Sequence, residues 1–492
     1  MKKFLVCILL AAMTVSCLSA CSDVVIGASN DGSTGAGGPE EAITLNGDSA
    51  KYAGGGVSIN GSVITISSPG EYTVTGTLND GRIIINTGEE SGDVFLTLDG
   101  ADITCLTDSA IYVAQAKNVD LILAPGSSNK VTSGTEADYE KADGTASGAA
   151  IYAEDDLDIE GEGSLEVRGY INNGITCKDD LDINGGSISV LAANNGVRGS
   201  ESVSVTGGTL AIAAGNDGIK STVADKAGKG FVEILGGDIA ITAEGDGISA
   251  ETSLSISGGN IVVSTTGDPA AVSSKGIKAY TGFDVTGGSI HVTSTDHALK
   301  SSAGMTLSGG SFTLNSTDGK GISADADITI TGGDFNVSSL DDGIESATAV
   351  TIEGGSFTVT AGNDGLKAGE KGTGFEAKVG TVTINGGSLS VSAFGDPVDA
   401  KAQLLVNGGT ILAAGTSKSI KNFSGSSAQP FLACSLSGAA SDTLTVKGAD
   451  GGELASLVTA YGFNTVLFSA PILSAGGEYT VSSGTGSSTA IA

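Results

Sequence analysis

The chain has 492 residues, of which 77 are glycine and 7 proline, and tryptophan is absent. Its 40% hydrophobic content falls in register, which excludes a disordered polymer. A formal charge of −32 excludes a nucleic-acid-binding surface and lets an anionic polymer dock only through a multivalent cation.

Residues 1–20 open with Lys2 and Lys3, run apolar from Phe4 to Val15 and end Leu18-Ser19-Ala20-Cys21. This pattern predicts a lipoprotein signal peptide, with Cys21 the lipidated first residue of the mature chain. Residues 21–42 then read as that cysteine and a flexible tether rich in Gly, Ser, Asn and Asp. The expected location is extracellular, lipid-anchored to the bacterial surface, with the membrane touched through the anchor alone. Beyond Cys21 the mature chain has Cys105, Cys177 and Cys434, an odd set without metal-ligand spacing. Stability must therefore come from something other than a disulfide framework, and Cys177 reads as a small core residue.

Residues 43–150 carry irregular strand patterns, VITISSPGEYTVTGTL and VFLTLDGADIT among them, with an insertion at about 133–147. From 151 to 425 the pattern turns periodic. Adjacent glycine pairs end at Gly186, Gly208, Gly237, Gly259, Gly288, Gly310, Gly333, Gly355, Gly387 and Gly409, mostly 22 or 23 residues apart, with three longer intervals. A fixed period with inserted loops is the mark of a repeat architecture. Within a unit, Leu181 and Ile183, then Ile188 and Val190, alternate with polar residues; Ile328 and Ile330, then Phe335 and Val337, do the same. Period two over short stretches predicts strands with one face buried.

Three such strands per unit, cornered by Gly-Gly and Asx-Gly turns that accept positive φ, predict an all-β fold. It is a right-handed parallel β-helix of about 22 residues per rung. Cys177, Ala250, Ala279, Ser301, Ala324, Ser346 and Ala368 are expected to point inward. A calcium β-roll needs Gly-Gly-x-Gly-x-Asp tracts, and here a strand follows each Gly-Gly, which excludes it. Residues 426–492 leave the period; PFLACSLS, DTLTVKG, TVLFSAP and GEYTVSSG read as a small antiparallel β cap that closes an open sheet end.

Stacking turns the period into columns. One corner, just before the Gly-Ile strand, reads Asn172-Asn173, Asn194-Asn195, Asn216-Asp217 and Asp246, then Asp341-Asp342, Asn363-Asp364 and Asp396 with Asp399 nearby. A second acidic corner holds Asp155-Asp156, Asp179-Asp180 and Glu201. Like charges one rung (about 4.8 Å) apart repel by roughly 3 kcal/mol at an effective dielectric of about 20. Three compensations are open. Calcium takes oxygens from carboxylates, amides and carbonyls. Lys220, Lys367 and Lys401 follow the acids, with Lys278 and Lys300 at the same strand position elsewhere. The third is solvent alone, the Asx side chains serving as turn formers or as an amide ladder. For the clusters together calcium is the expected cofactor, on Asn195, Asn216, Asp217, Asp246, Asp341, Asp342, Asn363, Asp364, Asp396 and Asp399.

The strings DDLDINGGSISV, NNGVRG, GNDGIKS, GDGISAE and LDDGIES, behind a lipobox and a short tether, resemble the β-helical carbohydrate-binding domain family of clostridial and related cell-surface lipoproteins. The resemblance runs from about residue 43 to 485 and implies a polysaccharide-lyase-like fold. It also implies calcium-associated binding of cellulose-type and acidic polysaccharides, with weight on Asp217, Asp246, Asp342 and Asp364. His297 and Lys320 replace the acid in their rungs, a departure that breaks a continuous calcium row.

A non-enzymatic module for a uronate-containing or cellulosic wall glycan is the first expectation, with Lys278, Tyr280 and Lys300 as sugar contacts. Tyr280, Phe283 or Phe375 would stack a sugar ring in place of the missing tryptophan. The insertions 221–230 and 369–380 would wall a groove on one face. The alternative is a calcium-dependent lyase using Lys367 or Lys401 as base. Its weakness is that Arg82, Arg168 and Arg198 are the only arginines. A structural adhesin that projects a terminal domain is the second alternative.

Overall fold

The computed structural model describes residues 42–88, 92–139, 148–369, 379–417, 426–484 and 486–492. The signal peptide, Cys21, nearly all of the tether, Phe375 and most of the insertion 369–380 lie outside the described residues.

Each repeat supplies three strands. In one rung these are Ile219–Ser221, Phe231–Ile234 and Asp238–Ala243. Strands of the first kind stack into a 15-stranded sheet, and the other two kinds build a 30-stranded sheet. Pairing along each stack is parallel and in register. Ile219 faces Val197 and Ile248, Val232 faces Val203 and Leu254, and Ile239 faces Leu210 and Ile261. The parallel β-helix expected from period-two alternation is thus the architecture found, and equivalent residues form columns. Glu136–Tyr139 is the single helix among the described residues, and no described helix is long and apolar enough to cross a membrane.

The core is one continuous cluster of inward Ile, Val and Leu. Cys177, Ala250, Ala279, Ser301, Ala324, Ser346 and Ala368 are all buried, as expected of the narrow interior. Burial pushes the Cys177 thiol up, and its Sγ lies 3.0 Å from the Asp155 carbonyl oxygen, so it is inert packing. Phe312, Phe335 and Phe357 form a stack with ring centroids 4.5 and 4.7 Å apart.

The two classes of glycine act differently. The second residue of each Gly-Gly pair has positive φ, for example 91° at Gly237, as the turn requires. The glycines that follow the Asx column, Gly174, Gly196, Gly218, Gly247, Gly343 and Gly365, do not, which corrects the sequence expectation. A Cβ on Gly247 would sit 2.2 Å from Val263 Cγ1 and 2.6 Å from the Gly276 carbonyl oxygen. Close approach between rungs, not backbone handedness, demands glycine there.

Each end of the stack carries an antiparallel addition. Val57–Asn60 pairs antiparallel with Val63–Ile66, the first parallel strand of the 15-stranded sheet. At the other end Phe463–Ser469 pairs antiparallel with both Thr410–Gly415 and Phe431–Gly438. Leu412, Leu432, Val446, Phe468 and Val481 make a second core beneath this cap, which adds a four-stranded antiparallel sheet. An edge that would template further pairing is thereby occupied.

Candidate functional site

The Asx column at the corner before the 15-stranded sheet proves to be a backbone device first. Each side-chain Oδ1 accepts the N–H of the equivalent residue one rung on. Asn173 receives Asn195 at 3.1 Å, Asn195 receives Asp217 at 3.3 Å, Asp217 receives Asp246 at 2.8 Å, and Asp246 receives Lys275 at 2.8 Å. Further along, Asp342 receives Asp364 at 3.0 Å and Asp364 receives Asp396 at 2.9 Å. His297 takes the same part through Nδ1, accepting Lys320 N–H at 3.2 Å. The outer members add an amide ladder: Asn194 donates to Asn172, Asn216 to Asn195, and Asn363 to both Asp341 and Asp342. A corner with unpaired N–H groups would cost desolvation, and these side chains remove that cost.

The second carboxylate oxygen tells the corners apart. Lys220 donates to Asp217 Oδ2 at 2.6 Å, Lys278 to Asp246 Oδ2 at 3.3 Å and Lys367 to Asp342 Oδ2 at 2.7 Å. Lys367 also reaches Glu345 at 2.9 Å, and Lys320 pairs with the same carboxylate. Burial raises the Asp342 carboxyl despite its lysine, and burial would raise Glu345 too, but its two lysines outweigh that and hold it low. At Asp217, Asp246 and Asp342, then, one oxygen serves the backbone and the other an ammonium. Their charge is already compensated.

Asp364, Asp396 and Asp399 differ. Their ligand oxygens lie within 4.8 Å of one another; among the described residues Lys401 pairs with Asp399, while Lys367, in register with Asp399, is committed to Asp342 and Glu345. Burial, with Asp342, Asp399 and Asp396 adding like charge, pushes the Asp364 carboxyl up to about 7. Three carboxylates against one ammonium, in a partly buried corner, is the donor set a hard divalent cation suits. Of the ten residues expected to hold metal, these three are the group the fold brings together with charge to spare.

The second acidic corner is clasped shut. The insertion after Ser221 folds over it, so that Lys229 meets Asp180 at 2.5 Å and Glu201 at 3.1 Å, while Lys226 also pairs with Glu201. An insertion expected to wall a groove instead neutralises its neighbours.

The expected sugar contacts divide. Tyr280 is exposed, and Lys278 lies 4.5 Å from its ring centroid, but that ammonium is committed to Asp246 with its side chain only 13% exposed. Lys300, next to Lys278 in register, pairs with Asp325. Phe283 is core. Sequence reasoning missed the tyrosines. Tyr112 and Tyr152 occupy the same outward position in consecutive rungs, with ring centroids 5.8 Å apart. The signal was present as Ile-Tyr at 111–112 and again at 151–152, hidden by the insertion between them.

A family model described as carbohydrate-binding domain-containing protein matches residues 60–320 and 314–490. The chain belongs to this carbohydrate-binding domain family. A carbohydrate-binding domain-containing protein of Acetivibrio thermocellus is 39% identical over 137 residues, 28% of this chain and 48% of the relative. The chain thus spans about half the length of that curated relative. It is also similar to a solved polysaccharide lyase-like protein from C. thermocellum, a gadolinium derivative, with 38% identity and a TM-score of 0.43 over 46% of this chain and 91% of the other.

For this family member the lysines offered as lyase bases are poorly placed for that work. A general base acts best with a pKa near the operating pH. Burial alone would lower the Lys367 amine, but hydrogen bonds to Asp342 and Glu345 outweigh it and hold the ammonium protonated. Lys401 is tied to Asp399.

Proposed function

We propose that this member of the carbohydrate-binding domain family is a calcium-dependent binder of acidic, uronate-bearing polysaccharide, held at the cell surface by a lipid on Cys21. The observation that carries the reading is the contrast within one column. Asp217, Asp246 and Asp342 each have a lysine partner, whereas of Asp364, Asp396 and Asp399 only Asp399 is paired, with Lys401, among the described residues. Those three carboxylates would hold the ion, which supplies the positive charge a polyanion needs to approach so acidic a chain. Lys367, offered as a base there, is held protonated by Asp342 and Glu345, so binding is the activity proposed.

Calorimetric titration of metal-free protein with calcium, followed by polygalacturonate, tests this. A calcium heat, a rise in melting temperature and calcium-dependent glycan binding are expected. No calcium response, or polymer binding unchanged by chelator, would overturn it.

A further inference from the structure

The outward column of the 15-stranded sheet runs Tyr112, Tyr152, Thr176, Arg198, Lys220 through successive rungs. Its lysines are spent: Lys220, Lys278, Lys300 and Lys367 each meet a carboxylate. Arg198 is the exception. It donates to Thr222 Oγ1 at 3.3 Å, and no carboxylate pairs with it among the described residues. In a chain of net charge −32, a partly exposed guanidinium without a counter-ion is conspicuous.

Its neighbours give it context. Thr176, between Tyr152 and Arg198, is fully buried although its side chain points outward. Arg198 is close enough to act on the Tyr152 hydroxyl. Tyr152 and Tyr112 form the aromatic pair, and Arg82, anchored on Asp108 at 2.6 Å, lies 5.1 Å from the Tyr112 ring centroid. Two aromatic faces followed by a fork of N–H donors thus lie in file, with Tyr152 and Arg198 two strand spacings apart, about 10 Å.

We infer that Tyr112, Tyr152 and Arg198 form a uronate subsite, in which the apolar face of a sugar ring stacks on the tyrosines and a carboxylate of the same chain pairs with Arg198. Aromatic rings take the C–H face of a pyranose, and the planar guanidinium takes a carboxylate through two parallel hydrogen bonds. Burial, then the adjacent Glu154 carboxylate, pushes the Tyr152 phenol up to about 12, so its hydroxyl stays protonated. This subsite rests on the polysaccharide-binding reading but not on the metal corner, which lies elsewhere along the sheet.

The test measures binding of the full chain to polygalacturonate and to a neutral soluble cellulose derivative, in constant calcium, by affinity electrophoresis and calorimetry. Tyr112→Ala/Tyr152→Ala should weaken both polymers about tenfold, the scale of two lost stacking contacts. Arg198→Gln should weaken polygalacturonate about tenfold or more and leave the neutral polymer unchanged. Tyr152→Phe should bind as wild type, and unchanged melting curves confirm intact folding. If wild type binds polygalacturonate while the tyrosine and arginine variants stay within twofold of it, the subsite is wrong and the proposed function stands. If Arg198→Gln weakens both polymers equally, the uronate assignment falls. If wild type binds neither polymer, both readings fall.

Discussion

Replacing Lys367 by methionine separates a structural lysine from a catalytic one. The Asp342 side chain is fully buried, and its Oδ2 has Lys367 at 2.7 Å. Methionine fills the same volume but leaves that carboxylate without a counter-ion, and Glu345 keeps only Lys320. Removing one partner of a buried pair costs about 3–5 kcal/mol. The sign follows from linkage. The Lys367 pKa is raised in the folded state, so its contribution is complete below the ordinary lysine value and present in full at pH 7.5. In the variant the burial that already raises Asp342 acts unopposed, so folding favours the protonated acid and the penalty shrinks as pH falls toward about 4. Guanidinium unfolding at pH 7.5 and 4.5, with hydrogen exchange across 342–366, measures both. Lys367→Met/Asp342→Asn should recover most of the loss, because an asparagine Oδ1 still accepts the Asp364 N–H. A loss below about 1 kcal/mol, or an equal loss at both pH values, would refute the buried-pair account.

Asp364→Asn should abolish calcium-induced stabilisation while leaving metal-free protein at pH 7.5 at least as stable as wild type, read by thermal melts with and without calcium. The amide keeps the Asp396 N–H bonded and removes a charge that its neighbours disfavour. Asp120 is in register with Asp158; burial, then the Asp158, Glu160 and Asp93 carboxylates, push Asp120 up to about 6. Its folded pKa is raised, so its contribution holds below about 4 and is lost as pH rises through about 6. Asp120→Asn should therefore stabilise by about 1 kcal/mol at pH 7.5, after solvent screening, and not at pH 4, by denaturant titration. Phe335→Ala opens the stack between Phe312 and Phe357 and should cost about 3–5 kcal/mol in the same assay.

The fold was legible because two independent periods agree. Alternation places Ile328 and Ile330 inward, and Gly333 supplies the positive φ that turns the chain into the next strand. The Asx column was legible too, since Asp217 and Asp246 follow the same template. Their partners were not. Lys220 is three residues from Asp217, whereas Lys278 is 32 residues from Asp246 and Lys229 is 49 from Asp180. Insertions vary the spacing, so which lysine reaches which acid depends on how each loop folds back. The same irregularity hid Tyr112 beneath Tyr152. Glycine after Asx was read as a turn residue because local sequence shows φ preferences and cannot show the carbonyl of the next rung.

Where charges are matched along the 15-stranded sheet, the column holds rungs together; Arg198 and the Asp364, Asp396 and Asp399 corner leave surplus charge of opposite sign among the described residues. Arg198 and Asp399 occupy the same outward column, eight strand spacings apart, which is about 38 Å. A polyuronate laid across the rungs could place one carboxylate on the guanidinium and another on a cation held by Asp364, Asp396 and Asp399. Linking two weak contacts through one ligand raises apparent affinity by about 10²–10⁴, but only when the ligand spans both. Binding of size-fractionated oligogalacturonates should therefore rise steeply once their length passes about 40 Å, and Arg198→Gln or Asp364→Asn should each erase the step while sparing short oligomers' weak binding. An affinity per mole of oligomer that climbs smoothly with length, in wild type and both variants alike, would show that the two places act independently.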